Sequence, residues 1–306
     1  MAVLSDYSRM VKGLLHDRGD KLLQLDDVEI YINRARRDIA LRTQCIRILP
    51  PISGPLVSLT ITTPGSGYTS PTLTISAPDF PSGYTPNPAG LQATGTISQT
   101  GGALSGAVLT NPGNGYFQPT VTITDPTGTG GVVTAQTIPL TVTTFGQEVY
   151  KFSSFPMPAG VDAPFAVFSI AMIFNGYRYT LVSYPFTDYQ TFIRNYPQQY
   201  LYVPTLYSQY GQGSFGSLYF YPLPSQVYQF EADCLCLPID LTSDSDEEAL
   251  PPPWQDAVAF YAAHLCYLEL VSFNNARAML DLYNERVSRY SMGARPRYLG
   301  NSYGRW

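Results

Sequence analysis

Pro64-Gly65-Ser66-Gly67-Tyr68-Thr69-Ser70-Pro71-Thr72-Leu73-Thr74-Ile75 returns 48 residues later as Pro112-Gly113-Asn114-Gly115-Tyr116-Phe117-Gln118-Pro119-Thr120-Val121-Thr122-Ile123. Glycines punctuate a turn, and threonine then alternates with Leu, Ile or Val, the period-two pattern of a half-buried strand. Leu56–Ile61 precedes the first copy as Leu104–Leu109 precedes the second. Further on, Gly90–Ile97 resembles Gly131–Ile138 at an offset of 41, which gives the first copy a loop seven residues longer. Two such units predict about eight short strands, enough for one small barrel or sandwich. Between Pro50 and Phe145 the only charged side chains are Asp79 and Asp125. Such a stretch builds surface; it offers no groups for making or breaking bonds.

Working outward, a helical pattern runs out at Leu49 and strand-like segments resume at Val149, so the repeat reads as an insert in a different host. Upstream, Tyr7, Met10, Val11, Leu14 and Leu15 recur at helical spacing. A second helix is expected over 27–44, with Asp26 or Asp27 as N-cap, an apolar stripe of Ile30, Ala35 and Ile39, and an arginine-rich remainder. Downstream, Phe165–Ile173 reads as a buried strand, Asn175-Gly176 as a hairpin turn and Tyr177–Val182 as the return. Nine tyrosines lie between 189 and 228, and Gln229–Leu237 alternates as a last strand. An acidic link, Asp244–Glu248, leads to one helix with Val258, Tyr261, Leu265 and Leu268 on a face. A second restarts at Asn274 or Asn275.

Composition narrows the function. Only 13% of the 306 residues are charged, and 15 of the 18 basic ones are arginines. Low charge with 24 tyrosines suits a chain largely covered by partners. Arginine favours bidentate pairing over a diffuse phosphate-attracting cloud, and the net charge of −5 argues against free duplex binding. Residues 229–250 hold seven acids and no base. No segment approaches the roughly 20 apolar residues that span a bilayer. Met1–Asp6 lacks the features of a secretory signal, and the four cysteines suggest a reducing cytoplasm.

Chemistry-bearing patterns are sparse. His16 and His264 sit in helical contexts and read as packing residues. Cys234 and Cys236 share a strand face, but no second pair is spaced to complete the four ligands zinc wants. The acids at 244–248 lack the glycine and terminal Glu of a calcium loop. Glu148, Asp162, Asp188, Glu231 and Asp233 show no spacing that selects a hydrolytic pair. Cofactors expected: none. The tail, Arg295–Trp306, mixes three arginines with three aromatics and has no periodicity. It reads as a peptide that docks in a protein groove.

Several segments, in order, resemble the head-to-tail adaptor (connector) proteins of tailed, chiefly short-tailed, bacteriophages. They are Asp27–Arg36; Asn175–Leu181; Leu218–Ser225; Cys234–Pro238 with the acidic turn and Pro253–Val258; and Ala276–Asn284. Together they span about residues 1–49 and 147–306. The resemblance implies an α+β chain with N-terminal helices (1–49) and a β-rich platform (147–243) with antiparallel strands; the inserted all-β barrel- or sandwich-like domain (50–146) read from the repeat departs from the simplest adaptors. C-terminal helices (244–291) and an extended tail (292–306) complete the chain. The resemblance also implies a twelve-membered homo-oligomeric ring at the head–tail junction of the virion, made in the bacterial cytoplasm and without catalytic turnover. Portal protein lies above it, the tail nozzle below, and DNA passes through the lumen without specific binding. In these terms Arg295, Arg297, Tyr298, Tyr303, Arg305 and Trp306 become portal-binding candidates. Arg34, Arg36, Arg37 and Arg42 against Asp244, Asp246, Glu247 and Glu248 become the subunit interface. Tyr196, Tyr200, Tyr202, Tyr207 and Tyr210 become the tail platform. Capsid or tail fibres are candidate contacts of the insert. The competing reading is a carbohydrate-binding or adhesive tail-associated module.

Overall fold

The computed structural model describes residues 2–17, 22–79, 90–174, 177–194 and 200–294. The elements open with helices α1 (Leu4–Leu15) and α2 (Leu25–Thr43) and strand β1 (Arg47–Ile48). Six strands of the insert follow: β2 (Leu56–Ser66), β3 (Thr72–Ile75), β4 (Thr94–Thr100), β5 (Ala103–Asn111), β6 (Val121–Thr124) and β7 (Thr129–Thr137). The host resumes with β8 (Val149–Lys151), β9 (Ala166–Phe174), β10 (Tyr177–Thr180) and β11 (Val182–Ser183). Next are the single turn α3 (Phe186–Asp188), which runs into a π-helical turn, and then β12 (Leu201–Tyr202) and β13 (Leu206–Tyr210). β14 (Ser217–Tyr221), β15 (Leu223–Pro224) and β16 (Gln229–Leu235) precede helices α4 (Pro252–Glu269) and α5 (Phe273–Ala294). The chain is therefore mixed α+β with a C-terminal helix pair.

One core joins the host's helices to its sheets. α1 buries Tyr7, Val11 and Leu15, and α2 buries Val28, Ile32, Ala35 and Ile39, each at three- or four-residue spacing. The expected cap of α2 shifts: Gln24 takes the cap position, and Asp26 and Asp27 stand in the first turn, where the helix dipole favours them. α4 corrects the expected stripe. It packs against α1, α2 and α5, so its buried set includes Ala257, Val258, Ala259, Ala262, Ala263 and Cys266, while Leu268 is exposed. Small side chains let three helices approach one axis closely. His264 Nδ1 lies 2.8 Å from the Ala276 carbonyl and ties α4 to α5.

Two four-stranded sheets share this core, ordered β1-β16-β9-β10 and β11-β13-β14-β8. The first is wholly antiparallel; the second has one parallel pair, β11 with β13. Rings seal them together, with Phe220 on β14 edge-on to Phe230 on β16 at 5.1 Å and to Tyr150 on β8 at 5.2 Å. The flanks of the expected hairpin pair as Tyr177↔Phe174, and Asn175-Gly176 itself lies outside the described residues.

The insert's pairing could not be read from its repeat. β2 pairs with β7, β3 with β6 and β4 with β5, so each ladder takes one strand from each copy. Six strands are found among the described residues, against the eight expected. Two small apolar clusters fill the interior, centred on Tyr116 with Leu56 and Ile75, and on Tyr68 with Leu104 and Val133. The exchange extends to polar groups. Tyr68 Oη accepts the N–H of Gly131 at 2.9 Å, and Tyr116 Oη accepts that of Ala93 at 2.8 Å. Asp125 accepts the N–H groups of Thr69 and Ser70, just past the first tyrosine. Asp79 accepts those of Phe117 and Gln118, just past the second.

The equivalence of Gly131 with Ala93 corrects the offset from 41 to 38. Gly65 and Gly113 have φ of +61° and +59°, and a Cβ at Gly113 would stand 2.4 Å from the Leu91 carbonyl oxygen. A side chain is excluded there twice over.

The two lone acids of the insert are thus turn clamps. At Asp125 desolvation pushes the carboxyl up, but N–H donors from Thr127, Gly128 and Ser70 outweigh it and hold the group far below the usual carboxylate range. A depressed folded-state pKa gives stability that is full above the unfolded value and is lost as pH falls through the folded one. Asp125→Asn should therefore flatten the insert's stability profile below about pH 4 and leave it unchanged in shape above. Denaturant titrations of both proteins across that range check this; equal acid sensitivity would refute it.

Candidate assembly interfaces

The arginine-rich helix and the acidic segment do meet, but within one chain. Arg36 and Glu248 are fully buried, and Arg36 donates from Nε and Nη2 to Glu248 at 2.8–3.2 Å. Arg36 Nη1 donates to Asn33 Oδ1 at 3.0 Å and to the Ile239 carbonyl at 2.7 Å. Glu248 also accepts from Tyr7 Oη at 2.8 Å and from the Leu250 N–H at 2.9 Å. Asn33 clamps both backbone groups of Leu241. These bonds fasten α1, α2 and the 239–250 segment around one point. Burial, with Glu248 adjacent, drives the Tyr7 hydroxyl far above the usual phenol range, so it stays a donor. Arg36 and Glu248 are therefore not surface groups for a neighbouring subunit, since desolvating both charges is compensated inside the chain.

The other interface candidates divide. Asp246 accepts from Thr242 and Ser243 and caps its own loop, which lowers its carboxyl to about 2. Asp244 accepts the Ser5 N–H at 2.8 Å at the start of α1. Arg37 pairs with Asp240 at the surface. Arg42 donates to Asn284 at 2.7 Å and lies over the Tyr283 ring. Arg34 is exposed, its guanidinium 5.7 Å from the Tyr31 ring, and Glu247 is exposed as well.

Sequence reasoning missed a set of tyrosine–carboxylate ties. Tyr31 donates to Glu269 at 2.8 Å, Tyr283 to Asp38 at 2.6 Å and Tyr290 to Asp256 at 3.2 Å. With Tyr7–Glu248, they hold the helices to one another and to the acidic segment. Desolvation first, and then the bond to Glu269, push the Tyr31 hydroxyl up to about 12.

The platform tyrosines also divide. Tyr207 is buried, its hydroxyl donating to the Phe168 carbonyl at 3.2 Å, so it ties the two sheets together instead of facing a partner. Tyr200, just before β12, and Tyr202 on it are exposed and stacked, with centroids 5.9 Å apart. Tyr210 is exposed and leans on Phe186 at 4.5 Å, which in turn meets Tyr219 at 4.9 Å. Arg194 covers Tyr219 at 5.6 Å and pairs with Glu148 at 3.1 Å. Tyr177, Tyr179 and Tyr184 add exposed rings, and Phe215 is 93% exposed. Tyr196 and the tail residues Arg295, Arg297, Tyr298, Tyr303, Arg305 and Trp306 lie outside the described residues.

No metal-holding cluster of His, Cys, Asp and Glu occurs among the described residues, and none of their helices is long and apolar enough to cross a membrane. Cys234, Cys236 and Cys266 are buried free thiols, and burial pushes Cys236 and Cys266 up to about 12, far from a reactive thiolate. No protein-family model and no curated protein matches the chain.

Proposed function

We propose that the chain is a structural subunit of a homo-oligomeric ring, a head-to-tail adaptor between the portal and the tail nozzle of a bacteriophage, without turnover. The observation that carries this reading is the number of exposed rings on the β half of the host: Tyr177, Tyr179, Tyr184, Tyr200, Tyr202, Tyr210 and Phe215. Tyrosine and phenylalanine exposed in that number fit surfaces that protein covers. Arg34, Arg37 and Arg42, exposed on α2, and the exposed Asp244 and Glu247 are the remaining subunit-interface candidates. A ring uses two different patches on each subunit, so these need not oppose one another within one chain. The insert, three two-stranded ladders built from both copies, leaves and rejoins the host beside Pro51 and Thr141, and we read its outer strands as suited to capsid or fibre contacts. Twelve copies at −5 each carry about −60, which favours free passage of DNA.

Co-sedimentation with assembled portal rings of the same virus tests the reading. The full chain is expected to pellet with portal and to average as a stacked ring in negative stain. Deleting residues 294–306 should abolish binding while leaving the far-ultraviolet circular dichroism unchanged. Undiminished binding would remove the tail from the portal contact; no binding by the full chain would remove the adaptor reading.

A carbohydrate-binding role is favoured by one observation. A cleft of about 630 Å³ between insert and host is lined by Phe117, Phe145, Phe174, Tyr228 and Gln226, with Asp79 its one charged residue. Retention of the full chain on immobilised neutral glycans tests that role.

A further inference from the structure

The outer face of the β1-β16-β9-β10 sheet holds one carboxylate withdrawn from solvent. Glu231 is 2% exposed and lines a cavity of about 310 Å³ with Arg47, Ser169, Ala171, Arg178, Thr180 and Asp233. Opposite Glu231 and Asp233 in the ladder, β9 presents only Ala171 and Ser169, which leave room above the carboxylate. Two guanidiniums face this space. Arg47, from β1, donates to Asp233 from Nε at 3.0 Å and again from Nη2, and lies 4.5 Å over the Phe168 ring. Arg178, from β10, is half exposed and stands in ion-pair contact with Glu231.

β10 is the edge of this sheet. Its four residues pair with β9, and each of them is exposed to solvent. A strand so placed owes little to burial and has short backbone pairing, so a single charged tie matters to it. We propose that the Arg178–Glu231 pair is an acid-released latch: protonation of Glu231 frees Arg178 and lets β10, with Tyr177 and Tyr179, lift from the sheet edge.

Burial raises the Glu231 carboxyl more than Arg178 lowers it, so it protonates earlier during acidification than exposed carboxylates do. Asp233 also faces the cavity but is held by Arg47 and leaves Arg178 to its neighbour. A raised folded-state pKa means that protonation of Glu231 favours the fold as a whole. Locally the Arg178 contribution decides: Glu231 stays on the inner strand β16 when β10 lifts, loses only its guanidinium, and so binds a proton more readily in the lifted state. The global and local effects thus have opposite signs, which separates the latch from general acid unfolding.

Hydrogen exchange on the full chain between about pH 7.5 and about pH 4.5 tests it, with rates corrected for intrinsic chemistry and referenced to α4. Protection over 177–180 is expected to fall about tenfold at the acid end while α4 holds. Glu231→Gln, which keeps the shape and removes the charge, should show the low value at both ends. Arg178→Gln should do the same and serves if the first variant fails to fold. Wild-type protection that tracks α4 would overturn the proposal, as would an acid response that survives in Glu231→Gln.

Discussion

Glu248→Ala is expected to destabilise the protein by about 3–5 kcal/mol, because it leaves the Arg36 guanidinium buried without its counter-ion. The loss exceeds that of a surface pair because both partners are shielded from water. Tyr7 and the Leu250 N–H lose their acceptor in the same stroke. In melting temperature this amounts to a drop of roughly 6–20 °C. The double variant Arg36→Met/Glu248→Leu should recover at least about 2 kcal/mol relative to the sum of the single changes, since no charge is then stranded. Urea unfolding of the four proteins of this cycle measures the coupling. Additive losses would mean that the pair is not the centre of the network its geometry suggests.

That network also shows where the sequence stops being legible. Alternating apolar and polar residues marked α1, α2, the C-terminal helices and the long strands, because periodicity is local and burial follows it. The partner of a charge is not local. Arg36 and Glu248 stand 212 positions apart, and each looks like its exposed neighbours Arg37 and Glu247. The same limit applies to Tyr207, one of nine tyrosines in a run and buried only because β13 carries it between two sheets. His264 is the converse case, since a lone histidine on a packed helix face reads as a packing residue and bonds to a neighbouring helix. In the repeat, the glycine turns and the alternation were plain. Which copy each strand would choose as its partner was not, because two like copies offer the same strands.

Removing half of the insert is expected to do more damage than removing all of it. Each of the three ladders joins strands of different copies, and each buried tyrosine is bonded by the opposite copy. Deleting 103–137 strips β2, β3 and β4 of every ladder partner at once and uncovers Leu56, Leu59, Leu73 and Ile75 on open strand edges. The product should aggregate. Excising the whole module leaves a different situation. β1 pairs with β16 at Ile48↔Cys234, and Val142 bridges Gln229 on the same edge, running in the same direction. Thr141 donates to the Pro51 carbonyl at 2.8 Å, so the module leaves and returns at one point. Between the two pairings lie the four positions Phe230–Asp233 of β16, a span of about 17 Å from Gln229 to Cys234 at strand rise. A linker of about four residues from Ile48 to Val142 would therefore complete one edge strand and close the host sheet. The expected result is a soluble host whose melting temperature stays within a few degrees of the parent's host transition, beside an insoluble half-deletion. A soluble, folded half-deletion would show that one copy can satisfy its own strands, and the interleaved pairing would be wrong. An unfolded full excision would show instead that the host sheet depends on the module seated at its edge.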